Sequence, residues 1–324
     1  IEGEFETLAT READPFEIDA PTKAAIREAN AYFRGKTTSE LALSYMSPAA
    51  RLAMEHNIFT PGNYLYNGVG HVTVHYDWIL REGFNGIRRR VEAELAACHE
   101  GDADYCGKSC LLRAMLLSCD AVIGFANRYA ELAEKTAASC HDTRRRAELL
   151  RIAANCRRVP ADGARSFHEA CQSFWFVHLI LQIESNGHSV SPGRVDQYMY
   201  PYYRADADAG RITVEEAQEL VDCVWLKLND LNKCRDAASA KGFAGYSMFQ
   251  NLIVGGQDEN GLDVTNILSF MCLEASMHVQ LPQPSLSIRV WNGTPDALLL
   301  KAAELTRTGI GLPAYYNDEV IIPA

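Results

Sequence analysis

Two stretches of the chain set a histidine directly after a glycine at a break between helical patterns: Tyr66-Asn67-Gly68-Val69-Gly70-His71 and Glu184-Ser185-Asn186-Gly187-His188-Ser189. Glycine permits backbone conformations and close approaches that other residues resist, so loops of this kind deliver polar side chains into cavities. A neutral imidazole donates through one ring nitrogen and accepts through the other, and the Ser189 hydroxyl adds both functions. His71, His188 and Ser189 together carry the groups needed to hold a small polyhydroxylated molecule. The same histidines could instead satisfy buried backbone groups at turns, and composition alone does not decide.

Other constellations point less clearly to chemistry. His71 and His75 are four apart, a spacing able to ligate zinc, but the segment lacks an adjacent Glu and runs through Val72-Thr73-Val74, so no metal site is expected. Cys106 and Cys110 share that spacing and the same objection. Arg194 and Asp196, just ahead of the aromatic run Tyr198 to Tyr203, read as an ion pair locking a helix start. Asn317-Asp318-Glu319 falls where the active-site loops of α/β barrels emerge, and equally reads as a turn. No phosphate loop and no Ser-His-Asp nucleophile elbow is present. Spacing assigns no acid–base carboxylate pair.

The elements that must position these groups fall into two patterns. From Pro21 to about Cys234 the period is helical, with start signals at Ser47-Pro48 and a capping box at Thr213-Val214-Glu215-Glu216. Ala217, Leu220, Val221, Val224, Leu228 and Leu231 form one apolar stripe after that box, and long amphipathic helices fit Tyr76 to Ala97 and Leu111 to Ala137. Phe167 to Ile183 is apolar around most of its circumference and should be a buried helix. From Tyr246 onward, apolar runs at Gln250 to Val254, Ser285 to Val290 and Ala314 to Tyr316 alternate with helical stretches at Thr265 to His278 and Pro295 to Thr308, the signature of a parallel α/β sheet or barrel. Residues 1–245 are thus expected to be mainly helical and residues 246–324 to alternate strand and helix, with no linker marking a domain boundary.

Composition narrows the functional classes. The 324 residues are 48% apolar and 23% charged, with enough length for roughly two domains' worth of core. A formal charge of -11 without a basic stripe argues against nucleic-acid binding. The longest strongly apolar stretch, Phe174 to Ile183, is about half the ~20 residues of a spanning helix, so no membrane crossing is expected. Ten cysteines without a Cys-x-x-Cys pair fit free thiols of a reducing cytoplasm. No amino-terminal signal pattern is read at Ile1-Glu2-Gly3-Glu4, and both ends read as cuts.

The run Gly193 to Tyr203, with Gln250-Asn251-Leu252-Ile253-Val254-Gly255-Gly256, Leu281 to Ser287 and Leu312 to Glu319, resembles the glycyl radical enzymes of the pyruvate formate-lyase family over essentially the whole chain. Within that family it resembles the coenzyme-B12-independent glycerol and 1,2-propanediol dehydratases, which carry Asn-Gly-Val-Gly-His and Ser-Asn-Gly-His-Ser, as at Asn67 to His71 and Ser185 to Ser189. Members that cleave choline or isethionate differ at the substrate-binding positions. The resemblance implies an α/β fold: a helix-rich amino-terminal part plus the first half of a ten-stranded barrel, residues 1–324 being part of one pyruvate formate-lyase-type domain.

It also implies radical dehydration of a vicinal diol. A glycyl radical, installed by an S-adenosylmethionine radical activating enzyme, oxidises a cysteine that removes hydrogen from the substrate carbinol carbon. His71 is then expected to protonate the departing hydroxyl, and His188, Ser189, Tyr246 and Asn67 to bind the substrate. Hydroxide leaves poorly, and a positioned acid contributes typically ~10²–10⁴-fold. An imidazole, with an unperturbed pKa of about 6.5, suits that work near neutrality. None of the ten cysteines has the family's Gly-Cys-Val-Glu-Pro context, so the radical cysteine and glycyl loop are expected beyond Ala324 and the isolated chain is expected to be inert. The full-length protein is expected to be a cytoplasmic homodimer of an anaerobic bacterium, its microcompartment association left open. The competing readings are a radical lyase on another small substrate, choline-like or isethionate-like, and an inactive helical scaffold or binding module.

Overall fold

The computed structural model describes residues 2–60, 70–185, 187, 189–243 and 248–323. The chain divides into two compact units, the first made of residues 1–72, 182–190 and 230–249, the second of residues 73–181, 191–229 and 250–324.

In the first unit, helices α1 (Ala20–Phe33), α2 (Thr38–Tyr45) and α3 (Pro48–Glu55) follow a short amino-terminal turn. Each starts on a polar cap: Asp19 accepts from the Thr22 amide, Thr37 and Glu40 form a capping box, and Ser47 caps α3 with Pro48 in its first turn, as the sequence indicates. The turn docks through Phe5 and Leu8, both buried. Its polar groups reach far along the chain. Arg11 Nη1 donates to the Arg235 carbonyl at 2.8 Å, and the Ala237 amide donates to Glu4 Oε2 at 3.1 Å.

The second unit begins with α4 (Tyr76–Ala96), α5 (Tyr105–Ser139), α6 (Thr143–Arg158) and α7 (Phe167–Glu184), the last running on into the first unit. The helix expected over Tyr76 to Ala97 is present but broken at Gly83, whose φ of 64° lies in the left-handed region. The Phe84 and Asn85 amides turn instead to the carbonyls of Pro160 and Ala161, and the Ala164 amide donates to the Leu80 carbonyl. A Cβ at Gly83 would lie 2.4 Å from the Asp162 carbonyl carbon, so the crossing requires glycine. Helix α5 holds an 18-residue window of mean hydropathy 1.6 and is, by length and composition, apolar enough to cross a membrane. Among the described residues, the longest apolar stretch therefore lies in α5 rather than at Phe174 to Ile183. Its Ala126 and Ala130 pack with Cys156 of α6 and Phe176 of α7, because small residues let the helices approach closely.

Short strands β1 (Val72–Thr73) and β2 (Val190–Ser191) pair, and α8 (Val195–Tyr198), α9 (Tyr200–Asp208) and α10 (Val214–Asn229) follow. The expected box at α10 forms: Glu216 N–H donates to Thr213 Oγ1 at 3.1 Å, and Thr213 N–H to Glu216 Oε2 at 2.9 Å. After α11 (Ala237–Phe243) come β3 (Asn251–Gly255), α12 (Ile267–Val279), β4 (Ser285–Val290), α13 (Asp296–Arg307), β5 (Ala314–Asn317) and α14 (Asp318–Ile321). The three strands pair in parallel in the order β3-β4-β5, with Ile253 opposite Ser287 and Ile288 opposite Tyr315. Leu252, Val254, Leu286 and Ile288 are fully enclosed in a core shared with α10, α12 and α13. Parallel strands need a crossover between them, and α12 and α13 supply it.

Candidate functional site

The Ser185 to Ser189 loop is built at the end of α7, within the first unit. Gly187 donates its N–H to the Gln182 carbonyl at 2.8 Å and takes φ +57°, the left-handed closure common at helix ends. A Cβ there would lie 1.9 Å from Met248 Cε; the methyl can yield, so the backbone angle is the stronger demand for glycine. Ser189 follows at φ 54°, donates its N–H to the Met248 carbonyl at 3.2 Å, and is 5% exposed. Left-handed backbone costs a side-chain-bearing residue about 1–2 kcal/mol, so the surroundings must hold Ser189 there. A third contact restrains the turn. Lys233 Nζ donates to the Gly187 carbonyl at 3.4 Å, and burial together with the nearby Arg235 guanidinium pushes the Lys233 pKa down.

His71 also sits at positive φ, 55°, directly after the buried Gly70, and is itself exposed. The structure therefore places the two described members of the expected set, His71 and Ser189, in the first unit on the same rare backbone conformation, one open to solvent and one enclosed. Asn67, His188 and Tyr246 lie outside the described residues. His75 pairs through Nδ1 with Asp77 at 2.5 Å.

The other polar candidates are taken up by structure in the second unit. Asp196 is fully buried: Oδ2 accepts from the Gly255 amide at 2.9 Å and the Ser269 hydroxyl at 2.6 Å, while its carbonyl accepts from Asn266 Nδ2 at 3.0 Å. Burial pushes its pKa up, against those donors. Arg194 reaches the carbonyls of Gly255 and Gln257 at 2.8 and 3.1 Å. The expected ion pair between the two does not form: Arg194 spends its donors on backbone carbonyls and Asp196 accepts from an amide and a hydroxyl, so each separately ties the start of α8 to β3, the segment after it or α12. Asp318 is 1% exposed and pairs with Arg289 at 2.6 Å, Asn317 caps α14, and Glu319 accepts from the Asn292 amide at 3.2 Å. That trio closes the carboxyl end of the sheet.

A fully buried imidazole was not singled out from the sequence. His178, fully buried on α7, lies 2.7 Å from Tyr76 Oη through Nδ1 and 2.7 Å from Gln250 Oε1 through Nε2. Gln250 Nε2 donates to the Leu228 carbonyl at 2.8 Å, which turns its Oε1 toward the ring. Nε2 therefore carries the proton, Nδ1 accepts, and the Tyr76 hydroxyl donates to it, an assignment fixed by the network. Burial holds the ring neutral, its pKa pushed down to about 4. An oriented, satisfied chain of this kind specifies a core.

The pyruvate formate lyase-like family model matches residues 1–324. An isethionate sulfite-lyase from Desulfovibrio desulfuricans is 34% identical over all of this chain and 41% of the relative. A solved structure concerned with 1,2-propanediol dehydration in Roseburia inulinivorans is 66% identical with a TM-score of 0.94, over 99% of this chain and 40% of that one. A glycerol-bound B12-independent glycerol dehydratase from Clostridium butyricum is 54% identical with a TM-score of 0.93, over 99% and 41%. The chain spans about two fifths of the length of these relatives. It belongs to the pyruvate formate lyase-like family, and its elements are the helix-rich amino-terminal part of the glycyl radical enzyme barrel fold.

Proposed function

We propose that the full-length protein is a glycyl radical dehydratase that converts glycerol to 3-hydroxypropanal or 1,2-propanediol to propanal, and that residues 1–324, part of one pyruvate formate-lyase-type domain, contribute part of its diol pocket. The observation that carries this reading is the enclosed Ser189 hydroxyl on the turn Ser185-Asn186-Gly187-His188-Ser189, in a chain 66% identical to a structure concerned with 1,2-propanediol dehydration. In it, His188, Ser189, Asn67 and Tyr246 hold the substrate hydroxyls, and His71 gives a proton to the hydroxyl that departs. The organic glycyl radical, installed by an S-adenosylmethionine radical activating enzyme, supplies the hydrogen-abstracting power from elsewhere in the protein. The residues of this chain suit a supporting part: Ser189 is shielded from bulk water, which protects a reactive intermediate from side reactions. The working enzyme is proposed to be a cytoplasmic homodimer.

The 34% identity to an isethionate sulfite-lyase along the whole chain favours a second reading, a radical lyase acting on another small substrate. Product analysis on the activated full-length enzyme separates the two. Glycerol or 1,2-propanediol yields an aldehyde and isethionate yields no sulfite; His71→Ala abolishes the aldehyde at unchanged melting temperature. Sulfite release without aldehyde formation overturns the diol reading. The isolated 324-residue chain with activating enzyme is expected to turn over neither.

A further inference from the structure

The turn that presents Ser189 is held from the side by a cation the dehydration scheme does not use. We propose that Lys233 is a positioning residue for the substrate-binding turn: by donating to the Gly187 carbonyl it restrains Gly187 on its left-handed backbone, and with it the segment that carries the buried, left-handed Ser189. This inference rests on the diol reading for its effect on catalysis, but not for its effect on the turn.

A half-buried ammonium beside Arg235 is disfavoured by desolvation and by like charge, so Lys233 gains from an acceptor, and the Gly187 carbonyl is one within its reach. The segment carrying Lys233 is held firmly. Arg11, whose side chain is 6% exposed, donates to the Arg235 carbonyl at 2.8 Å and pairs with Glu4 at 3.5 Å. Glu4 in turn accepts the Ala237 amide at 3.1 Å. The amino-terminal turn thus anchors residues 235–237, these present Lys233, and Lys233 restrains Gly187. Met248 closes the other side, taking the Ser189 amide on its carbonyl. An unrestrained turn at φ +54° for Ser189 would relax toward ordinary backbone, because the left-handed angle disfavours a residue with a Cβ.

Two readouts test this on the full-length protein. Hydrogen exchange at the Gly187 and Ser189 amides, which donate to Gln182 and Met248, is expected to rise at least tenfold in Lys233→Met and to return near the wild-type rate in Lys233→Arg, which still donates. Should Lys233→Met fail to fold, Lys233→Gln, too short to reach the carbonyl, carries the same expectation. In the activated enzyme the Met variant is expected to raise KM for the diol about tenfold with a smaller change in kcat, and Arg11→Met to do so by two- to threefold. Unchanged exchange at both amides, or failure of Arg to restore it, overturns the proposal. Absence of aldehyde from the wild type, with exchange behaving as stated, overturns the diol reading and leaves the Lys233 assignment standing.

Discussion

The chain uses histidine in two opposite ways. In the core of the second unit, His178 is enclosed on every side, donates and accepts at 2.7 Å, and is held neutral by burial. In the first unit, His71 follows a glycine onto left-handed backbone and stays open to solvent. The first arrangement spends both ring nitrogens on the protein itself and leaves nothing for a ligand. The second gives up packing for access. Histidine content therefore says little about function here, while the residue before each histidine says a good deal: Val177 continues a buried helix, and Gly70 opens a turn.

Perturbing each region should widen this contrast. The largest effect is expected at His178→Ala, which leaves the Tyr76 hydroxyl and the Gln250 amide without their partner and opens a void, costing about 3–5 kcal/mol by denaturant unfolding. A pH titration of stability comes next. The folded pKa of about 4 lies below the ordinary 6.5, so the unfolded chain binds the proton first as pH falls. Stability is full above pH 6.5 and declines between 6.5 and 4, by about 3 kcal/mol for this group, and His178→Phe should flatten that part of the curve. Gly187→Ala, forcing a Cβ onto φ +57°, should cost about 1–2 kcal/mol, while the Met248 methyl moves aside. His71→Ala is expected to change stability by no more than about 0.5 kcal/mol. A loss at His71 matching that at His178 would erase the contrast.

Much of the architecture was legible because its signals are local. The Thr213 and Glu216 capping box, the Ser47-Pro48 start and the three apolar runs that became β3, β4 and β5 each depend on residues a few positions apart. The kink at Gly83 was hidden because one glycine does not disturb a helical period, and its cause is a segment near Asp162. His178 was hidden for the same reason on a larger scale: its partners lie 102 and 72 residues away, and its own neighbours in sequence are apolar. Lys233 sits in a polar stretch where nothing local distinguishes a half-buried cation from a solvated one. A structural use of Arg194 and Asp196 could be read because they adjoin a helix start, but not its form: in place of an ion pair, their side-chain partners lie 59 to 73 residues away. Ser189 was found through Gly187 two residues before it, but its left-handed backbone and enclosure emerge with the fold.

The central claim is that the glycine loops of the first unit hold a vicinal diol. A crystal structure of the full-length enzyme soaked with glycerol tests it most directly. The His71 ring and the Ser189 hydroxyl are expected within hydrogen-bond reach, about 2.6–3.2 Å, of hydroxyls on one diol molecule. A diol bound elsewhere, or held without contact to His71 and Ser189, would contradict it.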